Sequence, residues 1–128
     1  MRPERPILAT IDHRESAGRA EVEVVLGYRD EAVSGTASGP PDADHRPRLV
    51  GEATLRAVES ILGSDGAFDL SAVAAQDLGP VTVALAQLRE GGAADYLVGS
   101  AVVRDHDLPT ATARAVLDAL NRRLATRS

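Results

Sequence analysis

Each of the three histidines in this chain follows an aspartate: Asp12-His13, Asp44-His45 and Asp105-His106. An imidazole beside a carboxylate can ligate a metal or act as an oriented general base. A metal centre needs two to four such ligands to converge. A hydrolytic centre needs a nucleophile, for which Ser34 and Ser38 are the candidates. No G-x-S-x-G elbow accompanies them, and Asp and His are ordinary loop residues, so neither chemistry is expected from spacing alone; no catalytic residue and no metal ligand is assigned.

The last two Asp-His pairs carry an arginine each, Arg46 and Arg104, and each precedes a stretch with helical periodicity. Backbone N–H groups at a helix start attract oxyanions, and arginine binds carboxylate or phosphate in a bidentate fork. The candidate ligand-binding set is therefore Gly39, Asp42, Asp44, His45, Arg46, Arg104, Asp105 and His106. The competing reading is simple capping, since acids at a helix start satisfy its dipole.

Those loops must be held by elements, and the pattern supplies them twice. Ala53–Leu62 (ATLRAVESIL) and Ala111–Leu120 (ATARAVLDAL) agree at Ala53/Ala111, Thr54/Thr112, Arg56/Arg114, Ala57/Ala115, Val58/Val116 and Leu62/Leu120. The first helix opens at Pro47, shows an apolar stripe through Val50, Thr54, Ala57, Val58 and Ile61, and stops at Gly63. Glu52, Arg56 and Glu59 mark its wet face. The second helix opens at Pro109 with a stripe through Ala113, Val116, Leu117, Leu120 and Leu124.

Ahead of each helix stand three alternating runs: Pro6–Ile11, Ala20–Tyr28 and Ala32–Ser38, then Ala67–Gln76, Val81–Leu88 and Asp95–Val103. Asp12–Gly18 reads as a polar connector, Arg29–Glu31 and Arg89–Ala93 as turns, and Gly39–Arg46 as a proline loop. Val33-Ser34-Gly35-Thr36-Ala37 matches Leu97-Val98-Gly99-Ser100-Ala101. With the helices aligned on their identities, the first half carries about six extra residues, in the proline loop.

The predicted fold is α+β: one domain over residues 1–128, with pseudo-repeats at about 6–63 and 67–125. It is a tandem βββα arrangement, a mixed or antiparallel sheet with two helices packed on one face. Both faces of the second-half strands are apolar, yet only one can meet the helices. Ala84, Ala86, Leu88 and Leu97 are therefore expected on an exposed face that forms a homodimer interface.

Gly35-Thr36-Ala37-Ser38-Gly39-Pro40-Pro41-Asp42-Ala43 is similar to the Gly-x-Gly-x-Gly-Pro-x-Asp-Ala motif that ends the strand before a helix in the C-terminal regulatory domain of 2-isopropylmalate synthases. Two βββα units in tandem also resemble that domain. Ala37 replaces the middle glycine, Asp44–Pro47 intervene before the helix, and the catalytic barrel is absent. In that family the domain dimerises and binds an amino-acid feedback inhibitor, so the resemblance implies a non-catalytic small-molecule-binding or dimerisation module here, not a leucine sensor.

Composition excludes other classes. There is no cysteine, so neither a disulfide framework nor a thiol nucleophile is available. All 14 basic residues are arginine, net charge is −5, and the two signs are interspersed, which leaves no footprint for nucleic acid. The arginine-only, alanine-rich composition fits a GC-rich bacterial genome. Aromatic residues are limited to Tyr28, Phe68 and Tyr96, too few for base-stacking platforms. Without a long apolar run or a cleavage signal, the expectation is a cytoplasmic protein off the membrane, with no cofactor.

Overall fold

The computed structural model describes residues 5–63, 66–91 and 96–126, the side chains of 122–126 excepted. The order is β1 (Ile7–Ser16), β2 (Arg19–Tyr28), β3 (Glu31–Gly39), α1 (Arg46–Leu62), β4 (Phe68–Leu78), β5 (Val81–Glu90), β6 (Tyr96–Val102) and α2 (Leu108–Thr126). The α+β class and the tandem βββα order are as the patterning predicts. The strands form two sheets, ordered β1-β2-β3 and β4-β5-β6, each antiparallel throughout. Each helix packs on its own sheet, and the two helices touch each other. Part of the expected Arg89–Ala93 turn, and Asp95, lie outside the described residues.

The turns explain the hairpins. Arg29 and Asp30 both have positive φ, as do Ala17 and Gly18, the pattern of two-residue turns whose twist matches that of the strands. The expected connector Asp12–Gly18 is instead mostly strand. β1 runs on to Ser16 against β2, and only Ala17 and Gly18 turn. Its polar residues are tolerated because they are exposed, His13 and Glu15 among them.

The core lies between sheets and helices. Val22, Val24 and Leu26 from β2, and Ala84, Ala86 and Leu88 from β5, point inward and are buried. Burying one such large aliphatic side chain is worth about 2 kcal/mol. Gly35 and Gly99 allow the closest approach of helix to sheet. A Cβ on Gly35 would overlap the Ala53 carbonyl oxygen and the Ala57 amide nitrogen; on Gly99 it would overlap the same atoms of Ala115 and Ala119.

This corrects the alignment of the repeats. Ala53 and Ala57 correspond to Ala115 and Ala119, one helical turn beyond the match suggested by identity. Pro47 then corresponds to Pro109, and most of the extra residues assigned to the proline loop disappear. The slip has a physical cause: Ala111, Ala115 and Ala119 form a stripe at i, i+4 and i+8, so a shift of one turn keeps small residues on the same face. The strands fit the corrected register. β1 is bulged between Leu8 and Thr10, and β4 at the equivalent place, between Leu70 and Ala72.

Two side-chain expectations are also overturned. Glu59 is not on the wet face; it is buried, pairs with Arg56, and accepts the Phe68 amide N–H at 3.2 Å. Ala84, Ala86 and Leu88 are buried under α2, and Leu97 is packed against the same core. They cannot form an exposed interface. The outward face of the second sheet instead carries Leu78, Val81, Tyr96, Val98 and Val102, all large and exposed.

Candidate functional site

Under the corrected alignment, the contact between α1 and β4 is the counterpart of the contact between α2 and β1. The first is tight. Arg48 donates to the Leu70 carbonyl oxygen at 2.9 Å. Gly51 lets the Leu70 and Val73 side chains close on the helix; a Cβ there would lie 2.9 Å from Leu70 Cδ2. The second contact is open, and a cleft of about 670 Å³ occupies it. Its strand wall is Leu8–Ile11 and His13 of β1, with Val22 behind. Arg46 and Val50 of α1 form a second wall. The third is the end of β6 and the start of α2, including Val102, Arg104, Asp107, Thr110 and Arg114.

Substitutions between the halves account for the opening. Ala113 stands where the other helix has Gly51, so a methyl group replaces the hollow that accepts Leu70. Thr110 stands where Arg48 reaches across, and is too short to do so. Pro6 stands where Phe68 donates to Glu59, and proline has no N–H to donate. The Glu59 counterpart is Asn121, whose Oδ1 is buried without a partner. A smaller cavity of about 330 Å³, lined by Pro6, Leu8, Arg114 and Asn121 among others, extends the cleft along the same contact.

The charged side chains fall into two groups. Asp107 is committed to structure: its Oδ1 accepts the Thr110 amide N–H at 3.1 Å and its Oδ2 accepts the Thr110 hydroxyl at 2.7 Å. These bonds, with the Arg114 charge nearby, hold the Asp107 carboxyl below the ordinary carboxylate value. The arginines are less engaged. Among the described residues the Arg46 side chain reaches only Glu15, at 3.4 Å, and its Nε is buried with no partner. The Arg104 side chain makes no hydrogen bond or ion pair among the described residues, its backbone carbonyl alone accepting the Asp107 amide N–H.

Of the residues expected from sequence, Arg46, Arg104 and Asp105 line this cleft together. Gly39, Asp42, Asp44, His45 and His106 do not. The Asp42 carboxylate accepts both the His45 amide N–H, at 3.0 Å, and a 2.6 Å contact from His45 Nδ1. The His45 ring contact chiefly keeps the Asp42 carboxyl below its usual range. Gly39 packs beside Leu49, and Asp105 and His106 form a turn with positive φ. Among the described residues no three His, Asp or Glu side chains are grouped to hold a metal. Ser34 and Ser38 lie on the outer side of the first sheet, where Ser38 accepts a hydrogen bond from Arg19.

The expected ligand-binding set leaves out His13, singled out only as one of the three Asp-His pairs, and Thr110 and Arg114. Arg114 was hidden by its match to Arg56; in the corrected register it replaces Glu52, reversing the charge at that site. No protein-family model matches the chain, and no curated protein matches it. No helix among the described residues is long and apolar enough to cross a membrane.

Proposed function

We propose that the chain is a non-catalytic module that binds a small-molecule effector in the cleft between β1 and α2 and works as a homodimer. The cleft carries this reading. Its volume of about 670 Å³ falls within the range of small-molecule sites. It combines an apolar floor of Leu8, Ile11, Val22 and Val50 with a few charged side chains at its mouth. The resemblance to the regulatory domain of 2-isopropylmalate synthases supports a regulatory role through the shared tandem βββα order.

A ligand that binds only the folded state raises its apparent stability by mass action. A thermal-shift screen of cellular metabolites should therefore find compounds that raise Tm in a saturable way. A screen in which no metabolite does so would count against a binding module. The Asp-His hydrolytic or metal-dependent alternative gains no support from the geometry, because His45 is tied to Asp42 outside the cleft and, among the described residues, no three His, Asp or Glu side chains are grouped to hold a metal.

Self-association is supported by the outer faces of the two sheets. The first presents Asp12, Arg14, Glu21, Glu23, Thr36 and Ser38; the second presents Leu78, Val81, Tyr96, Val98 and Val102. Antiparallel sheets tolerate one wet face when it is polar, and a contiguous apolar face marks an interface. Light scattering should give a dimer for the wild type and a folded monomer for Val98→Glu combined with Val81→Glu. A wild type that is monomeric at micromolar concentration would exclude the dimer. A third possibility, docking of this face on a partner enzyme, would show as co-purification of that enzyme.

A further inference from the structure

We propose that the ligand of the β1–α2 cleft is an oxyanion with an organic body, a carboxylate or a phosphate monoester, held by Arg46, Arg104 and Arg114. This rests on the cleft being a binding site and names the chemistry of what it takes.

Three observations lead there. First, arginines from three different elements line one cavity: Arg46 at the start of α1, Arg104 after β6, and Arg114 on α2. A guanidinium is always charged and presents a planar fork that matches carboxylate and phosphate oxygens.

Second, the acids nearby do not use up those forks. Asp107 gives both carboxylate oxygens to Thr110. Glu15 holds only one nitrogen of Arg46, at 3.4 Å and with both side chains about half exposed, an interaction of little strength. Asp105 pairs with neither Arg104 nor Arg114.

Third, only two buried side-chain atoms among the described residues lack a partner: Arg46 Nε and Asn121 Oδ1. One belongs to the main cleft and the other to its continuation, which share Leu8 and Arg114. Buried polar atoms are almost always satisfied, so two orphans along a single crevice point to a molecule that lies in it. A bare ion is too small for the crevice and would leave its apolar floor uncovered. An organic body against Leu8, Ile11, Val22 and Val50 fits the lining, with the anionic group toward the arginines.

The test is isothermal titration of the full chain with phenyl phosphate, hexanoate and the uncharged hexanamide. At least one oxyanion should bind saturably, and at least tenfold more tightly than hexanamide. Arg104→Gln and Arg114→Gln should each weaken it at least tenfold, while Arg19→Gln, on the outer side of the first sheet, should not. Arg104 and Arg114 are exposed, so these variants should keep the wild-type circular dichroism and urea midpoint. Binding of phenyl phosphate alone assigns a phosphate ester, hexanoate alone a carboxylate, and both a general oxyanion site. Oxyanion binding unchanged in both arginine variants would mean adventitious association elsewhere and overturn the proposal. Equal binding of hexanamide would also overturn it, yet leave the cleft as a site for neutral ligands. No binding of any of the three overturns it as well; the binding-module reading itself falls only if the metabolite screen is also blank.

Discussion

The contacts α1–β4 and α2–β1 are built from equivalent positions, and one is closed while the other is open. In the closed contact two polar groups find partners across it: Arg48 donates to the Leu70 carbonyl, and Glu59 accepts the Phe68 amide N–H. In the open contact the equivalent groups are too short, lack a donor, or remain unpaired. The difference rests on a few substitutions: Gly51 against Ala113, Arg48 against Thr110, Phe68 against Pro6, Glu59 against Asn121. A duplicated unit can stabilise itself with one copy of a contact and leave the other for a ligand. Functional sites are where local rules of satisfaction are broken, with the stability supplied elsewhere.

The comparison predicts unequal costs. Leu70 is buried in the closed contact, whereas Leu8, its counterpart, is only partly buried beside the cleft. Leu70→Ala should cost about 3 kcal/mol, in the usual range for a core truncation that leaves a cavity. Leu8→Ala should cost about 1 kcal/mol, because part of its surface already meets water. Urea unfolding of both variants measures the difference, and equal losses would mean that the two contacts are equally packed.

A smaller asymmetry is expected at the next pair. Glu59→Ala strands the buried Phe68 N–H, at about 2 kcal/mol. Asn121→Ala removes an oxygen that has no partner, so its cost should stay below about 0.5 kcal/mol or turn into a gain. Should Asn121→Ala prove as damaging as Glu59→Ala, its amide has a structural partner and the orphan argument for the crevice fails.

The extent to which sequence foretold this differs by level. Strand and helix order was legible because alternation in Val22, Val24 and Leu26 and helical spacing in α1 are unambiguous periods. The repeat was legible, but its register was not: an alanine stripe repeats every turn, so identity could slide along it. Only Gly35 and Gly99, read against the helices they touch, fix the alignment. The inward face of β5 was misjudged for a related reason, since Ala84 and Ala86 are as small as residues tolerated in water, while Val81, Val83 and Leu85 looked like core. Arg46, Arg104 and Asp105 were found because a charged residue at a helix start is a local signal. Arg114 and His13 needed the register and the extended β1, which no local pattern carries.

The smallest predicted effect concerns the two helix starts. α2 has a side-chain cap, Asp107 on the Thr110 amide, whereas His45 at the start of α1 offers none. Asp107→Ala should destabilise the protein by about 1 kcal/mol near neutral pH, the usual worth of such a cap. Its pH dependence follows from the carboxyl's position below 3.8 in the folded state, set mainly by the Thr110 hydroxyl. A group with a depressed folded value stabilises the fold above its unfolded value and loses that contribution as pH falls through the folded one. The cost of Asp107→Ala should therefore be full at neutral pH and shrink as pH drops below 3.8. Asp107→Asn keeps an acceptor for the amide but carries no titrating charge, so its stability relative to wild type should improve over the same interval. Urea midpoints at neutral pH and near pH 3 for the three proteins test this. A cost of Asp107→Ala that is the same at both would show that the carboxylate charge does not carry the cap.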